Sequence, residues 1–191
     1  MTSLGEAVTW WPNTREVSVC CYWCGSGTTA AAATRDRVPY NVWVRDGFLA
    51  ATPGAVVDYS FIEQTLTGLY EEFEVMETAF DPHNATKFYT DFTNAGHDNV
   101  VMVTQCYTNL SPAMKEIDNL VTAGKLRHQN NPVFNWCMSN TIPRTMPSGD
   151  IMPDKKKSGE RIDFVSAMVT AMSRACLAVG DDMIHEGYIA L

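Results

Sequence analysis

The order of its apolar runs constrains this chain most. Residues 8–11 and 17–24 are rich in β-branched and aromatic residues, and Pro12-Asn13-Thr14 between them is turn-like. That pattern predicts an antiparallel hairpin. A loop should follow from Gly25, and a short helix from Tyr40 to Arg45, closed by Gly47. A short extended segment at Phe48-Leu49 and a turn at Thr52-Pro53-Gly54 come next. Helical and strand-like runs then alternate. Ser60-Phe61-Ile62-Glu63 has a capping-box pattern, and Ile62, Leu66, Leu69, Tyr70 and Phe73 follow at helical spacing, so residues 60–73 read as an amphipathic helix. A strand over 75–80, a helix over 85–93 and an apolar strand over 100–106 come after it. Ser111-Pro112 reads as a helix start, with Met114, Ile117, Leu120 and Val121 as its buried stripe and Gly124 as its stop. Residues 133–138 read as extended and 143–153 as a turn or hairpin tip. Phe164, Ala167, Met168, Ala171, Met172 and Ala175 form one apolar helix face. Antiparallel strands followed by alternating helices and strands imply an α/β fold, a mixed sheet with helices on both faces. Its core should include Ile62, Leu66, Val75, Phe80, Val101, Val103, Ile117, Val121, Met168 and Met172.

The 191 residues suit one domain, over 1–180, with a loose tail over 181–191. A 46% hydrophobic and 19% charged composition is that of a globular chain rather than a disordered one. No run of about 18 apolar residues predicts a membrane span. The first residues, Met1-Thr2-Ser3-Leu4-Gly5-Glu6, lack the basic and apolar regions of a secretory signal, so a cytoplasmic location is expected. Six cysteines are too few and too irregular for a disulfide scaffold. Cys21 and Cys24 have the spacing of half a zinc site, but no second pair completes four ligands. Gly25-Ser26-Gly27-Thr28-Thr29-Ala30 fits a loose dinucleotide pattern without the second strand or the acidic residue that pattern needs. A net charge of −8 argues against a general nucleic-acid binder but leaves room for a local basic strip. Lys155, Lys156, Lys157 and Arg161 form such a strip, for which a solvated turn is the plainer explanation.

Two aspartates stand at predicted element ends. Asp81 closes the strand over 75–80, where open α/β sheets place ligand groups, although from position alone a turn aspartate before Pro82 is the plainer explanation. Asp163 precedes an apolar helix, where capping alone would account for it. Together, with lysines beside one of them, they suit Mg²⁺ or Mn²⁺ bridging to a phosphodiester. Two such ions about 4 Å apart can activate a water and stabilise a leaving oxygen.

Several segments occur in a fixed order: Asp36-Arg37-Val38-Pro39-Tyr40, Thr52-Pro53-Gly54, Phe80-Asp81-Pro82-His83-Asn84-Ala85-Thr86, Leu110-Ser111-Pro112-Ala113-Met114-Lys115-Glu116, Asn131-Pro132-Val133, and Pro153-Asp154-Lys155 through Ile162-Asp163. Together they resemble the C-terminal nuclease domain of tailed-phage terminase large subunits, over about residues 34–176. The resemblance implies a ribonuclease H-like fold and metal-dependent cutting of double-stranded phage DNA into packageable genomes. It implies a host-cytoplasm location, with the terminase motor domain, small terminase subunit and portal as partners. It also carries over Asp81 and Asp163 as the second and third metal-binding acids, with Mg²⁺ or Mn²⁺ as cofactor.

The first acid of that family lies on a central strand in a Gly-x-Asp context. Here the similarity is expected to begin one strand later: no Asp precedes Asp36, and Glu6 is the only early carboxylate within a strand-like stretch. Such a site would bind metal weakly, so the isolated chain is expected to cut DNA slowly or not at all. Its sheet should also lose a central pairing partner. No Gly-x-x-x-x-Gly-Lys-Ser/Thr phosphate loop occurs, so ATP hydrolysis is not expected. The alternative is a truncated, catalytically silent homologue that acts by binding protein or DNA, as a packaging component, an inhibitor or a bait in phage–host conflict.

Overall fold

A computed structural model describes residues 3–11, 16–24, 29–51, 59–73, 75–83, 86–126, 128–178 and 188–190. The hairpin expected from the two β-rich runs is present. β1 (Ser3–Trp11) pairs antiparallel with β2 (Glu16–Cys24) along its whole length. β3 (Ala50–Ala51) adds parallel to β2. On the other side, β4 (Glu77–Phe80) lies antiparallel against β1, and β5 (Val100–Met102) runs parallel to β4. The main sheet therefore reads β3-β2-β1-β4-β5, and β8 (Tyr188–Ala190) also pairs parallel with β2. Residues 188–190, expected to belong to a loose tail, are thus a strand of the sheet. The anticipated gap in the sheet is closed by β1, which is itself the neighbour of β4. A second sheet is the hairpin of β6 (Pro143–Thr145) and β7 (Ile151–Pro153), as the turn-rich stretch foretold.

The helices flank the main sheet. α1 (Thr29–Asp36) and α2 (Tyr40–Arg45) follow the hairpin. α2 has the bounds its sequence predicts, and Gly47 beyond it takes φ +80°. α3 (Tyr59–Glu72) and α4 (Thr86–Asn94) bracket β4 in sequence. Ser60 lies inside α3 rather than before it, so it does not occupy the cap position that its capping-box pattern suggested. Successive side chains of a strand point to opposite faces, and β4 uses both. Phe80 joins Ile62, Leu66, Phe88, Phe92 and Val100 in a cluster fed by α3 and α4. Ala79 joins the larger cluster, built around α5 (Tyr107–Thr122), α6 (Pro132–Asn140) and α7 (Asp163–Ala178).

Three segments differ from their sequence reading. α5 begins a turn before Ser111-Pro112, with Cys106 at its N-cap. Ser111 is buried and serves the hairpin instead: its hydroxyl accepts from the Ile151 backbone N–H and donates to Asp150 Oδ1. Residues 133–138 are helical, not extended. Asn131 caps α6 by accepting the Val133 N–H at 2.9 Å, and Pro132 fills the first helical position. Val133, Phe134 and Cys137 are then buried at helical spacing. Val121 is 48% exposed, because the buried stripe of α5 runs through Leu110, Ala113, Ile117 and Leu120. Of the other expected core positions, Val101 is partly buried and the remainder are buried. The turns placed at 25–27 and 52–54 lie outside the described residues, as do the side chains of Cys21 and Cys24.

Candidate nuclease site

α7 packs across β1, β2 and β4, and two of its side chains fix its direction. Arg174, in its second half, makes a bidentate pair with Glu77 at the start of β4, at 2.7 and 3.0 Å. Thr170, one turn earlier, accepts a hydrogen bond from Gln105 Nε2 at 3.2 Å. Gln105 lies beyond the end of β5, which is parallel to β4. Moving backward along α7 therefore moves toward the carboxyl ends of β4 and β5. Asp163 is the first residue of that helix. Glu77 and Ala79 both address the α7 side, Glu77 through Arg174 and Ala79 through the larger cluster. Asp81 is the first residue beyond that strand.

Asp81 follows β4 directly and is partly buried. Its Oδ1 accepts the His83 N–H at 3.0 Å, an Asx turn that satisfies one carboxylate oxygen and bends the chain toward α4. Asp163 holds a cation already: Lys155 Nζ stands 3.2 Å from its Oδ1. The lysine side chain is 58% exposed and the aspartate only 18%. An ion pair with so open a partner contributes little to stability, so its interest lies in the charge it brings to Asp163. The amino end of a helix also favours a carboxylate there.

The basic strip owes its shape to Asp154. This buried carboxylate accepts the backbone N–H groups of Lys156 and Lys157 at 3.0 and 3.2 Å, and its carbonyl accepts the Ser158 N–H. Burial pushes its pKa upward. The two N–H groups and the charges of Arg144 and Lys157 outweigh that and hold the carboxyl below its ordinary value. The turn so formed leaves Lys155, Lys156 and Lys157 exposed. Arg161 faces elsewhere. It interacts with the Tyr40 hydroxyl and with Asp36, whose carboxyl is held low first by Arg35 and then also by Arg161 and Tyr40. Burial is what chiefly raises the Tyr40 phenol. Asp36 and Tyr40 belong to the first of the ordered sequence segments. Their contact with Arg161 ties α1 and α2 to the segment that leads into α7.

Carboxylate oxygens are the donors that hard divalent ions such as Mg²⁺ and Mn²⁺ take, and Asp163 shows that its position tolerates a cation. The donor chemistry fits such an ion. The donor number is smaller than a closed cage requires: among the described residues, no group of three or more His, Cys, Asp or Glu side chains is gathered as for a metal. Among the same residues, no helix is long and apolar enough to cross a membrane.

The mixed α/β sheet thus carries one carboxylate just past a strand and another at the start of the helix packed on it. Residues 23–178 match the terminase large subunit, endonuclease domain, and the chain belongs to that family. It is 32% identical over 155 residues to the terminase large subunit of Enterobacteria phage HK97, covering 81% of this chain and 31% of that protein. It is likewise 32% identical over 149 residues to protein YmfN of Escherichia coli (strain K12), covering 77% of this chain and 32% of the relative. The crystal structure of the HK97 bacteriophage large terminase superposes with a TM-score of 0.77 at 28% identity, over 91% of this chain and 39% of that one. The chain thus spans about a third of the length of the curated relatives it matches.

Proposed function

We propose that this chain is a ribonuclease H-like, divalent-metal-dependent endonuclease domain acting on double-stranded DNA in phage genome packaging. The observation that carries the proposal is the direction of α7 on β4. From Arg174 back to Asp163 the helix covers about 16 Å at ~1.5 Å per residue. From Glu77 forward to Asp81 the strand covers about 13 Å at ~3.3 Å per residue. Starting from the Arg174–Glu77 pair, both paths run toward the same end of the sheet and have similar lengths. That supports a convergence of Asp81 and Asp163, on the order of 4 to 8 Å between carboxylates for a two-ion site. A bound Mg²⁺ or Mn²⁺ would supply an activated water and neutralise charge on the phosphodiester.

The roles of the chain's own residues follow from their surroundings. Asp81 and Asp163 would hold the metal. Lys155, paired with Asp163, would bring positive charge beside that acid, while Lys156 and Lys157 would offer exposed ammonium groups to the backbone of the DNA. Such contacts position the duplex without reading its sequence. Arg161 contributes less to DNA than its place in the strip suggests, since Tyr40 and Asp36 engage it. A motor domain, a small terminase subunit and a portal are the partners such a domain would work beside.

The experiment is plasmid nicking by the purified chain. Cleavage should require Mg²⁺ or Mn²⁺, stop with chelator, weaken with salt and disappear in Asp81→Ala and Asp163→Ala. Cleavage that survives both substitutions would show that these acids are not the site. A second reading, a silent homologue that acts by binding, draws on the small number of gathered ligands among the described residues. Metal-independent DNA binding with no nicking under any condition would favour it.

A further inference from the structure

We infer that Gln105 is a positioning residue, whose carboxamide ties the end of β4 to the amino half of α7 and so sets where Asp81 and Asp163 stand relative to each other. The role assigned to it rests on the nuclease reading just given. The tie is a continuous run of hydrogen bonds. The Phe80 carbonyl, in the peptide that joins Phe80 to Asp81, accepts the Val103 N–H at 2.7 Å. Gln105 Nε2 has two hydrogens to give. It donates to the Val103 carbonyl and to Thr170 Oγ1, both at 3.2 Å. Thr170 Oγ1 in turn donates to the Ser166 carbonyl at 2.9 Å, one turn back along α7. Ser166 stands three positions after Asp163, the spacing of neighbours on a helix surface. Four hydrogen bonds thus lead from the peptide before Asp81 to the turn of α7 that follows Asp163.

The apolar contacts of α7 explain why such a tie matters. Ala167, Ala171 and Ala175, with Met168 and Met172, make up much of what the helix gives to the larger cluster. Alanines offer little relief to grip, and methionines are unbranched and adapt to shifted neighbours, so this packing specifies position weakly. Directional bonds must supply the rest. The Glu77 pair holds the carboxyl half of the helix at Arg174, and Gln105 holds it four residues nearer to Asp163. Thr170 is only 4% exposed and Gln105 is partly buried, so water competes poorly for the bond between them. Without it α7 remains held at Arg174, while its amino half, which carries Asp163, is free to shift. A misplacement of about 1 Å among reacting groups can cost about 100-fold in rate. Gln105 and Thr170 are 65 positions apart, so no local pattern in the sequence joins them.

The test combines thermal melting, amide hydrogen exchange along α7 and Mn²⁺-dependent plasmid nicking, read as kcat and KM, all on the full chain. The variants are Gln105→Met and Thr170→Val, alone and together, with Thr170→Ser, Asp163→Ala and a control, Gln64→Met, on the exposed face of α3. Replacing both partners of a hydrogen bond by apolar groups of similar shape leaves stability nearly unchanged, so the double variant separates placement from folding. In it, the amides of Ala167 to Val169 should exchange at least about fivefold faster, while those of Ala175 to Leu177 exchange as in wild type. Its kcat should fall about 10- to 100-fold, with KM for DNA within about twofold of wild type. Thr170→Ser keeps the hydroxyl and should keep most of the activity, and Gln64→Met should change nothing. Unaltered exchange at Ala167 to Val169 overturns the tie. Faster exchange along the whole helix with a lowered melting temperature makes Gln105 a structural residue only, and also overturns it. Faster exchange there with kcat at the wild-type level overturns the positioning role alone, provided Asp163→Ala still abolishes nicking. If wild type does not nick, or Asp163→Ala nicks as wild type does, the nuclease reading fails and takes the positioning role with it.

Discussion

Phe92 concentrates the packing logic of the smaller core in one side chain. It is fully buried, stacks on Phe88 at 5.5 Å and on His97 at 4.0 Å, and meets Tyr70 edge-on at 5.7 Å. Removing the ring leaves a cavity that these rigid neighbours cannot collapse into. Phe92→Ala should therefore lower unfolding free energy by about 3–5 kcal/mol in a denaturant titration. Leu177→Ala, at a position 73% exposed, should change it by less than about 0.5 kcal/mol. Single residues were legible from sequence where one local rule governed them. Leu66 and Phe80 are buried as their periodicity required. Val121 was misplaced because helical spacing tolerates either neighbour of a stripe, and only the packing of α5 on α7 selects Leu120. Asp154 stands in the sequence beside three lysines, with nothing local to mark its part. Its work, accepting two backbone N–H groups, is a matter of turn geometry that composition does not carry.

The turn that Asp154 organises has a definite pH response as an element. Its carboxyl lies below its ordinary value in the folded chain, so its contribution is fully present above the unfolded carboxylate value of about 3.9 and is lost as pH falls through the lower folded value. Asp154→Asn removes that component. Melting temperatures of wild type and variant should differ most near neutrality and draw together as pH falls below about 4. A constant gap down to pH 2 would show that the side chain acts through size alone. At this scale α2 and the β6–β7 hairpin were legible, because turn residues bounded them. α6 was not. Val133, Phe134 and Trp136 have strand-like character, and it outweighed the Asn131-Pro132 pair that starts the helix. Burial of Val133, Phe134 and Cys137 against the other helices then favours the helical spacing.

Over the whole molecule, one long-range pair ties helix to sheet. Arg174 and Glu77 are 97 positions apart, half-buried to the same degree and joined by two parallel hydrogen bonds. A lysine keeps the charge but not the planar fork. Arg174→Lys should thus cost about 1 kcal/mol, measured by urea unfolding, with little change in the slope of the transition. The alternation of elements, and so the α/β class, was legible in the sequence. The pairing of β1 with β4, of β2 with β3 and of residues 188–190 with β2 was not, since partners 28 to 172 positions apart leave no local trace. The same holds for the candidate site. Asp81 and Asp163 stand out as residues at element ends, but which end of the sheet each occupies depends on how α7 is laid down.

The placement of α7 also orders events in time. It is synthesised after every strand and helix that it covers in the main cluster, from β1 and β2 through β4, α5 and α6. At roughly 5–20 residues per second, a ribosome takes about 5–20 seconds to pass from the end of β4 to the end of α7. During that interval Ala79, Leu110, Val133 and Phe134 have no Phe164, Met168 or Met172 to close over them. The smaller cluster of Ile62, Leu66, Phe80, Phe88, Phe92 and Val100 needs nothing beyond β5 and can consolidate first. A nascent chain of this kind carries a settled half and an open half until its last long helix emerges, and the open half is where a chaperone would bind.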